Sequence, residues 1–447
     1  MGLSLPLELI HYLIKASRDD LPTLLQFSLV SKECRAESRR HAFEWVQLGR
    51  GSTWHPTVLQ GHMNHASERL SLELSESRIK EFHVLLLANP TLGTYVRDLD
   101  VGVGFLISPK RFRASRDTLA HDLPAILDLL PSLTSFGITY GSHNLQEWTD
   151  LPRELQESVG RCCSSPRIKR LGFTDFTEFP YTLVTSPPNL EELHLSYIFE
   201  AKTKSEPTSQ PVVRQSRQMK TVSAMAYGSS IVGKLIEEDP GAFSCVVTIN
   251  WHIQSQVDVD VFGRLTQLCA RSLQEVSLEF GVRIGLGHAT NLDALELMPQ
   301  IKRLYLSSRI HLPDTEFEGE YPRFGLSYDL ALYQSILQTQ HELDVLEVKI
   351  ELSTYTNFTS TYNLPSRILH NRRVWRTFDE YLASPSARDL PAPIGFHVVV
   401  SWGSAEDHRP WDPKEWVFRG QLQKEMRGRL KRSLEAGRVA TDYTWYT

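Results

Sequence analysis

The chain has 447 residues, with 48 Lys and Arg against 53 Asp and Glu, a net charge of −5 and 41% hydrophobic residues. That length fills two or three compact units, and the mild acidity gives no global attraction for nucleic acid or a membrane surface. Five cysteines, an odd number with no C-x-x-C spacing, argue against a disulfide framework or a thiolate zinc site and for a reducing compartment.

The first 48 residues carry three short helical patterns. Pro6 lacks a backbone N–H that a first helical turn does not need, and Glu8 meets the positive end of the same helix. Leu9, Ile10, Leu13 and Ile14 make one apolar stripe. Asp19 and Asp20 are cap candidates for a second helix carrying Leu21, Leu24, Leu25 and Leu29. A third, basic pattern runs from about Lys32 to Phe43 through Arg35, Arg39 and Arg40. A unit this small buries little surface alone and is expected to share its apolar face with a partner. Glu8 and His11 interrupt the apolar run that a secretory signal would need.

The blocks Leu5-Pro6…Glu8, Asp19-Asp20-Leu21 and Ser28-Leu29-Val30 resemble the F-box of fungal F-box-like proteins, the adaptor-docking module of SCF-type ubiquitin ligases. The resemblance implies adaptor contacts through Leu5, Pro6, Leu9, Ile10, Leu29 and Val30. Two residues depart from the pattern: Cys34 stands where a Trp is usual, and Ala42 where a Leu precedes Phe43. Both make the core of the module smaller.

Further along, a Leu-x-x-Leu-x-Leu frame recurs at Val96–Val101, Leu133–Ile138, Ile168–Phe173, Leu190–Leu195, Leu273–Leu278, Ile301–Leu306 and Leu343–Val348. The interval between Leu190 and Leu273 has room for two weaker units, near Met219-x-x-Val222 and Cys245–Trp251. This is similar to a leucine-rich-repeat array, in which each unit adds one short strand to a parallel sheet. Helical stretches are expected at Leu123–Leu130, Leu151–Val159 and Ala331–Leu337. The polar stretches 201–221 and 307–327 read as loop excursions. At the C-terminus, Leu422, Met426, Leu430 and Leu434 form a helical stripe among Lys424, Arg427, Arg429, Lys431 and Arg432, read as a helix covering the end of the array.

Chemistry is poorly signalled. Gly228–Lys234 matches the Gly-x-x-x-x-Gly-Lys core of a phosphate loop, but Leu235 stands where a Ser or Thr must ligate magnesium. His55, His62 and His65 have no Cys or paired acid at zinc spacing. Cys162-Cys163 has no base supplied by local sequence, and Asn357-Phe358-Thr359 is a glycosylation sequon without meaning inside the cell. No catalytic residue, metal ligand or cofactor is assigned.

The expected fold class is α/β: a three-helix F-box-like module over residues 1–50, an irregular leucine-rich-repeat-like solenoid over 51–402, and a C-terminal cap with a basic amphipathic helix over 403–447. The expected function is substrate recognition within a cytoplasmic or nuclear cullin-RING ligase. Its partners are the SCF adaptor subunit, a cullin reached through it, and a protein target, without membrane or nucleic acid. The alternative is an interaction scaffold whose F-box-like module does not bind the adaptor.

Overall fold

The structure is a computed structural model that describes residues 6–18, 20–49, 68–103, 117–140, 146–201, 217–280, 301–312, 326–340, 343–354, 372–387, 390–391, 393–402 and 413–446. Contacts divide the chain into two compact units, the first running through Arg217 and the second from Gln218 onward.

The first unit opens with helices α1 (Leu7–Ala16), α2 (Leu21–Phe27) and α3 (Lys32–Ala42). Strand β1 (Trp45–Leu48) follows at once, then α4 (Glu68–Ala88), β2 (Asp98–Gly102), α5 (Leu123–Asp128), β3 (Ser135–Thr139) and β4 (Gln146–Glu147). It closes with α6 (Arg153–Cys163), β5 (Arg170–Phe179), α7 (Thr182–Thr185) and β6 (Glu192–Glu200). Its strands pair in the order β1-β2-β3-β5-β6, with β4 added to β5, and every pairing is parallel.

The second unit runs β7 (Thr221–Met225), α8 (Ser229–Glu238), β8 (Thr248–Ile253), α9 (Gln256–Leu268), β9 (Glu275–Phe280), β10 (Arg303–Leu312), α10 (Leu326–Thr339) and β11 (Val345–Thr354). After these come α11 (Arg372–Leu382), β12 (Ile394–Trp402), α12 (Pro413–Arg429), α13 (Lys431–Glu435) and β13 (Val439–Tyr446). Strands β7 to β13 pair in chain order, again all in parallel.

Parallel strands sort their side chains by alternation. In β9, Val276, Leu278 and Phe280 are buried, while Glu275, Ser277 and Glu279 stay partly exposed. Helices close over the apolar side: Trp251 of β8 donates its indole N–H to the Asp258 carbonyl of α9 at 3.0 Å, and Ser308 of β10 meets the hydroxyl of Tyr333 on α10. Every apolar position of the seven Leu-x-x-Leu-x-Leu frames is buried.

The fold class expected from the sequence is corrected here. The chain is not a three-helix module followed by a leucine-rich-repeat solenoid with a capping helix. It is an α/β fold built on parallel sheet, with thirteen strands among the described residues. Strand β1 begins three residues after α3, so the expected boundary at residue 50 falls within the first unit. Strand β13, not a helix, is the last element of the second. The physical reason is that a Leu-x-x-Leu-x-Leu frame reports only a parallel strand with one buried face and an apolar lead-in. It does not require a recurring unit. Strands here span two to ten residues, and the helices between them range from four to 21 residues. The expected loop 307–327 is also shortened, since β10 continues to Leu312 and α10 starts at Leu326.

Candidate docking surface on the N-terminal helices

Helices α1, α2 and α3 share a small core. Ile14, Leu24 and Cys34 are fully buried, with Ile10, Phe27 and Ala42 packed against them. Each helix has a local reason to start where it does. Pro6 precedes α1, whose first turn carries Glu8. Asp20 caps α2 by accepting from the backbone N–H of Thr23 at 3.2 Å and from its hydroxyl, and these bonds hold the Asp20 carboxyl below the usual range. Ser31 caps α3, accepting from Cys34 N–H at 3.1 Å.

A core of six side chains does not absorb all the apolar residues these helices carry, and several face solvent. Leu9 is 50% exposed, Tyr12 69%, Leu29 79% and Val30 68%, and Leu7, Leu13 and Leu25 are exposed as well. Singly such residues mean little; seven within 24 residues of chain make this a candidate interaction surface.

The turn that presents Leu29 and Val30 is held on both sides. Their N–H groups donate to Gln26 and Phe27 carbonyls at 3.0 Å each, and Arg35 Nε donates to the Ser28 carbonyl at 3.1 Å. Two apolar side chains are thus offered on a fixed backbone, which lowers the ordering cost of binding. Beyond the turn, Lys32, Arg35, Arg39 and Arg40 are exposed along α3.

Of the six residues implied as adaptor contacts, Leu5 lies outside the described residues. Pro6, Leu9, Leu29 and Val30 are exposed, and Ile10 instead belongs to the core of the helices. The stripe Leu9-Ile10-Leu13-Ile14 therefore splits, with Ile10 and Ile14 inward and Leu9 and Leu13 outward. Leu7, Tyr12 and Leu25 were not singled out as contacts; the signal available for them was an excess of apolar residues over what three short helices can bury.

The other sequence features resolve into structure. Gly233 lies on α8 against α9, where a Cβ would meet Val261 Cγ2 at 3.2 Å, and Leu235 is buried. Ser229 at the start of α8 donates to the buried carboxylate of Asp258. The Gly-x-x-x-x-Gly-Lys pattern is thus a helix–helix packing feature. Burial, then the charge of Asp128, pushes the Cys162 thiol up to about 12, and burial raises Cys163 well above its usual value, which disfavours the thiolate form of both. All five cysteines are free. His55, His62, His65 and Asn357 lie outside the described residues. Among the described residues no cluster of three metal-ligating side chains occurs, and no helix is long and apolar enough to cross a membrane.

No protein-family model and no curated protein sequence matches the chain.

Proposed function

We propose that the N-terminal helices dock the adaptor subunit of an SCF-type cullin-RING ubiquitin ligase, and that the rest of the chain holds a protein target for ubiquitin transfer. The observation that carries this reading is the exposure of Leu9, Leu29 and Val30, three residues of the F-box-like blocks, on helices whose core is already closed without them. On this reading the chain contributes no catalytic residue and uses no cofactor. It acts by raising the effective concentration of target lysines near activated ubiquitin, in the cytoplasm or nucleus where such ligases work. The second reading, an interaction scaffold without adaptor binding, is favoured by Cys34, whose small side chain leaves three fully buried apolar residues among the described side chains of the helices.

The test is co-purification of the full chain with the adaptor subunit, beside a Leu9→Glu/Leu29→Glu variant. Both positions are exposed, so the variant keeps its fold, whereas a change at Ile10 would disturb the core. Adaptor capture by the parent and at least about tenfold weaker capture by the variant is the expected result. A folded parent that fails to capture the adaptor leaves the scaffold reading.

A further inference from the structure

A segregation of charge lies at the other end of the sequence. Helix α11 buries Trp375, Phe378, Asp379 and Leu382 and turns Arg372, Arg373 and Arg376 outward. Helix α12 buries Leu422 and Met426 and exposes Lys424 and Arg427; Lys431 and Arg432 follow on α13. Lys424 and Arg427 are three residues apart on α12 and so share one side of it.

These helices are packed together. Asp379 of α11 accepts from the backbone N–H groups of Arg432 and Ser433 at 3.0 and 2.9 Å and from the Ser433 hydroxyl at 2.6 Å, and Arg432 pairs with Glu380 at 2.8 Å. Among the described side chains of these helices, eight basic ones are thereby gathered against four acidic ones in a chain whose net charge is −5. Glu380, Glu425 and Glu435 are each taken by a neighbouring cation, Arg432, Arg429 and Lys431. Among the described residues Arg372, Arg373, Arg376, Lys424 and Arg427 have no acidic partner.

Arg429 adds a second observation. Its side chain is largely buried, Nη2 lies 3.4 Å from the Glu425 carboxylate, and Nε is buried with no acceptor among the described residues. Burial, together with the nearby charge of Arg372 and despite Glu425, holds its guanidinium below the usual arginine value. Like charges crowded around an unsatisfied donor are stabilised when an anion arrives.

We propose that the basic face shared by α11, α12 and α13 binds an acidic protein segment, with its carboxylates reaching Arg372, Arg373, Arg376, Lys424 and Arg427. No large apolar side chain is exposed among the described side chains of these helices, which disfavours insertion into a membrane and stacking on single-stranded bases. A long duplex polyanion would extend past the patch onto a molecule whose remaining charge is strongly negative, whereas a short acidic segment stays within it. This inference goes beyond adaptor docking and does not depend on it.

The experiment is fluorescence anisotropy of the full chain with a labelled glutamate-rich peptide of about twelve residues, at about 50 and about 200 mM salt. Expected is saturable binding that weakens as salt rises. An Arg373→Gln/Arg376→Gln/Lys424→Gln/Arg427→Gln variant should lose at least about tenfold in affinity, and an Arg153→Gln/Arg161→Gln variant on the first unit should lose none. Circular dichroism checks the fold, and single Arg376→Glu and Lys424→Glu variants repeat the comparison if the quadruple variant melts early. No saturable binding at low salt, equal loss in the control variant, or displacement of the peptide by duplex DNA of equal charge or by anionic vesicles at lower concentration would overturn the proposal.

Discussion

Phe173, Phe176 and Phe179 of β5 are all buried around the edge of Trp148, at ring-centroid distances of 6.3, 5.3 and 5.7 Å. Spacing of three is incompatible with a regular strand, in which alternate residues share a face. The backbone resolves the conflict at two residues in left-handed conformation, Asp175 (φ 67°) and Glu178 (φ 49°). Tyr197 of β6 (φ 52°) lies between the paired positions Ser196 and Ile198, opposite Asp175, so both strands change face together and Phe176 still pairs with Ile198. Glu178 then turns β5 alone, where the register shifts before Phe179. Phe176→Ala should cost about 3–5 kcal/mol in chemical denaturation. Asp175→Val should cost about 1–3 kcal/mol more than Asp175→Gly, because only the first aggravates the left-handed backbone. A Val as stable as the Gly would refute the role of that conformation. The Leu-x-x-Leu-x-Leu frame reaches only to Phe173; the recurrence of Phe-Thr-acid beyond it was the unused signal.

At the scale of elements, charged side chains tie strands across the polar side of the first unit. Arg170 of β5 pairs with Asp98 of β2, and Glu192 of β6 lies 3.9 Å from His194. Burial alone would raise the Glu192 carboxyl, but the neighbouring His194 and the charge of Arg170 outweigh it and leave it below its usual 4.5. A carboxyl depressed in the folded state stabilises fully above its unfolded value and loses that contribution as pH falls through the folded one. Melting temperature followed from pH 6 downward should therefore drop more steeply below about pH 4.5 in the parent than in Glu192→Gln; parallel curves would contradict this account. The second unit has a buried counterpart in Asp258, which accepts from the N–H groups of Gln254 and Ser255 at 2.9 and 2.7 Å, from the Ser255 hydroxyl at 2.8 Å and from Ser229. Asp258→Ala strands these donors and should cost about 2–4 kcal/mol by denaturant titration. Element positions were legible for a simple reason. Each Leu-x-x-Leu-x-Leu frame lies where a buried strand begins, and the weaker signals at Met219-x-x-Val222 and Cys245–Trp251 coincide with β7 and β8. The partner of Asp258 lies 29 residues away at Ser229, a separation that no local pattern encodes.

The whole chain differs most from its sequence reading at its ends. The stripe Leu422-Met426-Leu430 drew attention to a terminal helix, yet Val439, Thr441, Tyr443 and Trp445 alternate as a strand does, and that stretch is β13. The exposed N-terminal apolar residues were legible because motif and burial arithmetic agreed; the basic face was legible only as one helix, since α11 joins it through tertiary packing. The two ends predict opposite outcomes on truncation. Removing residues 1–43 takes away α1 to α3 but leaves β1 paired with β2 from Trp45↔Asp98 to Leu48↔Val101, so the sheet of the first unit keeps its edge strand. Removing 439–447 strips β12 of its partner from Ile394 to Ser401, and a row of backbone donors and acceptors beside Ile394, Phe396 and Val398 faces solvent. An uncovered apolar parallel edge pairs with other chains. Light scattering after size-exclusion chromatography should show a monodisperse N-terminal truncation and a self-associating C-terminal one. A Val398→Lys change on β12 should not rescue the latter, because that side chain points into the core, whereas a His397→Lys change on the opposite, partly exposed face should reduce association; rescue by the first and not the second would mean that the strand faces are assigned the wrong way round.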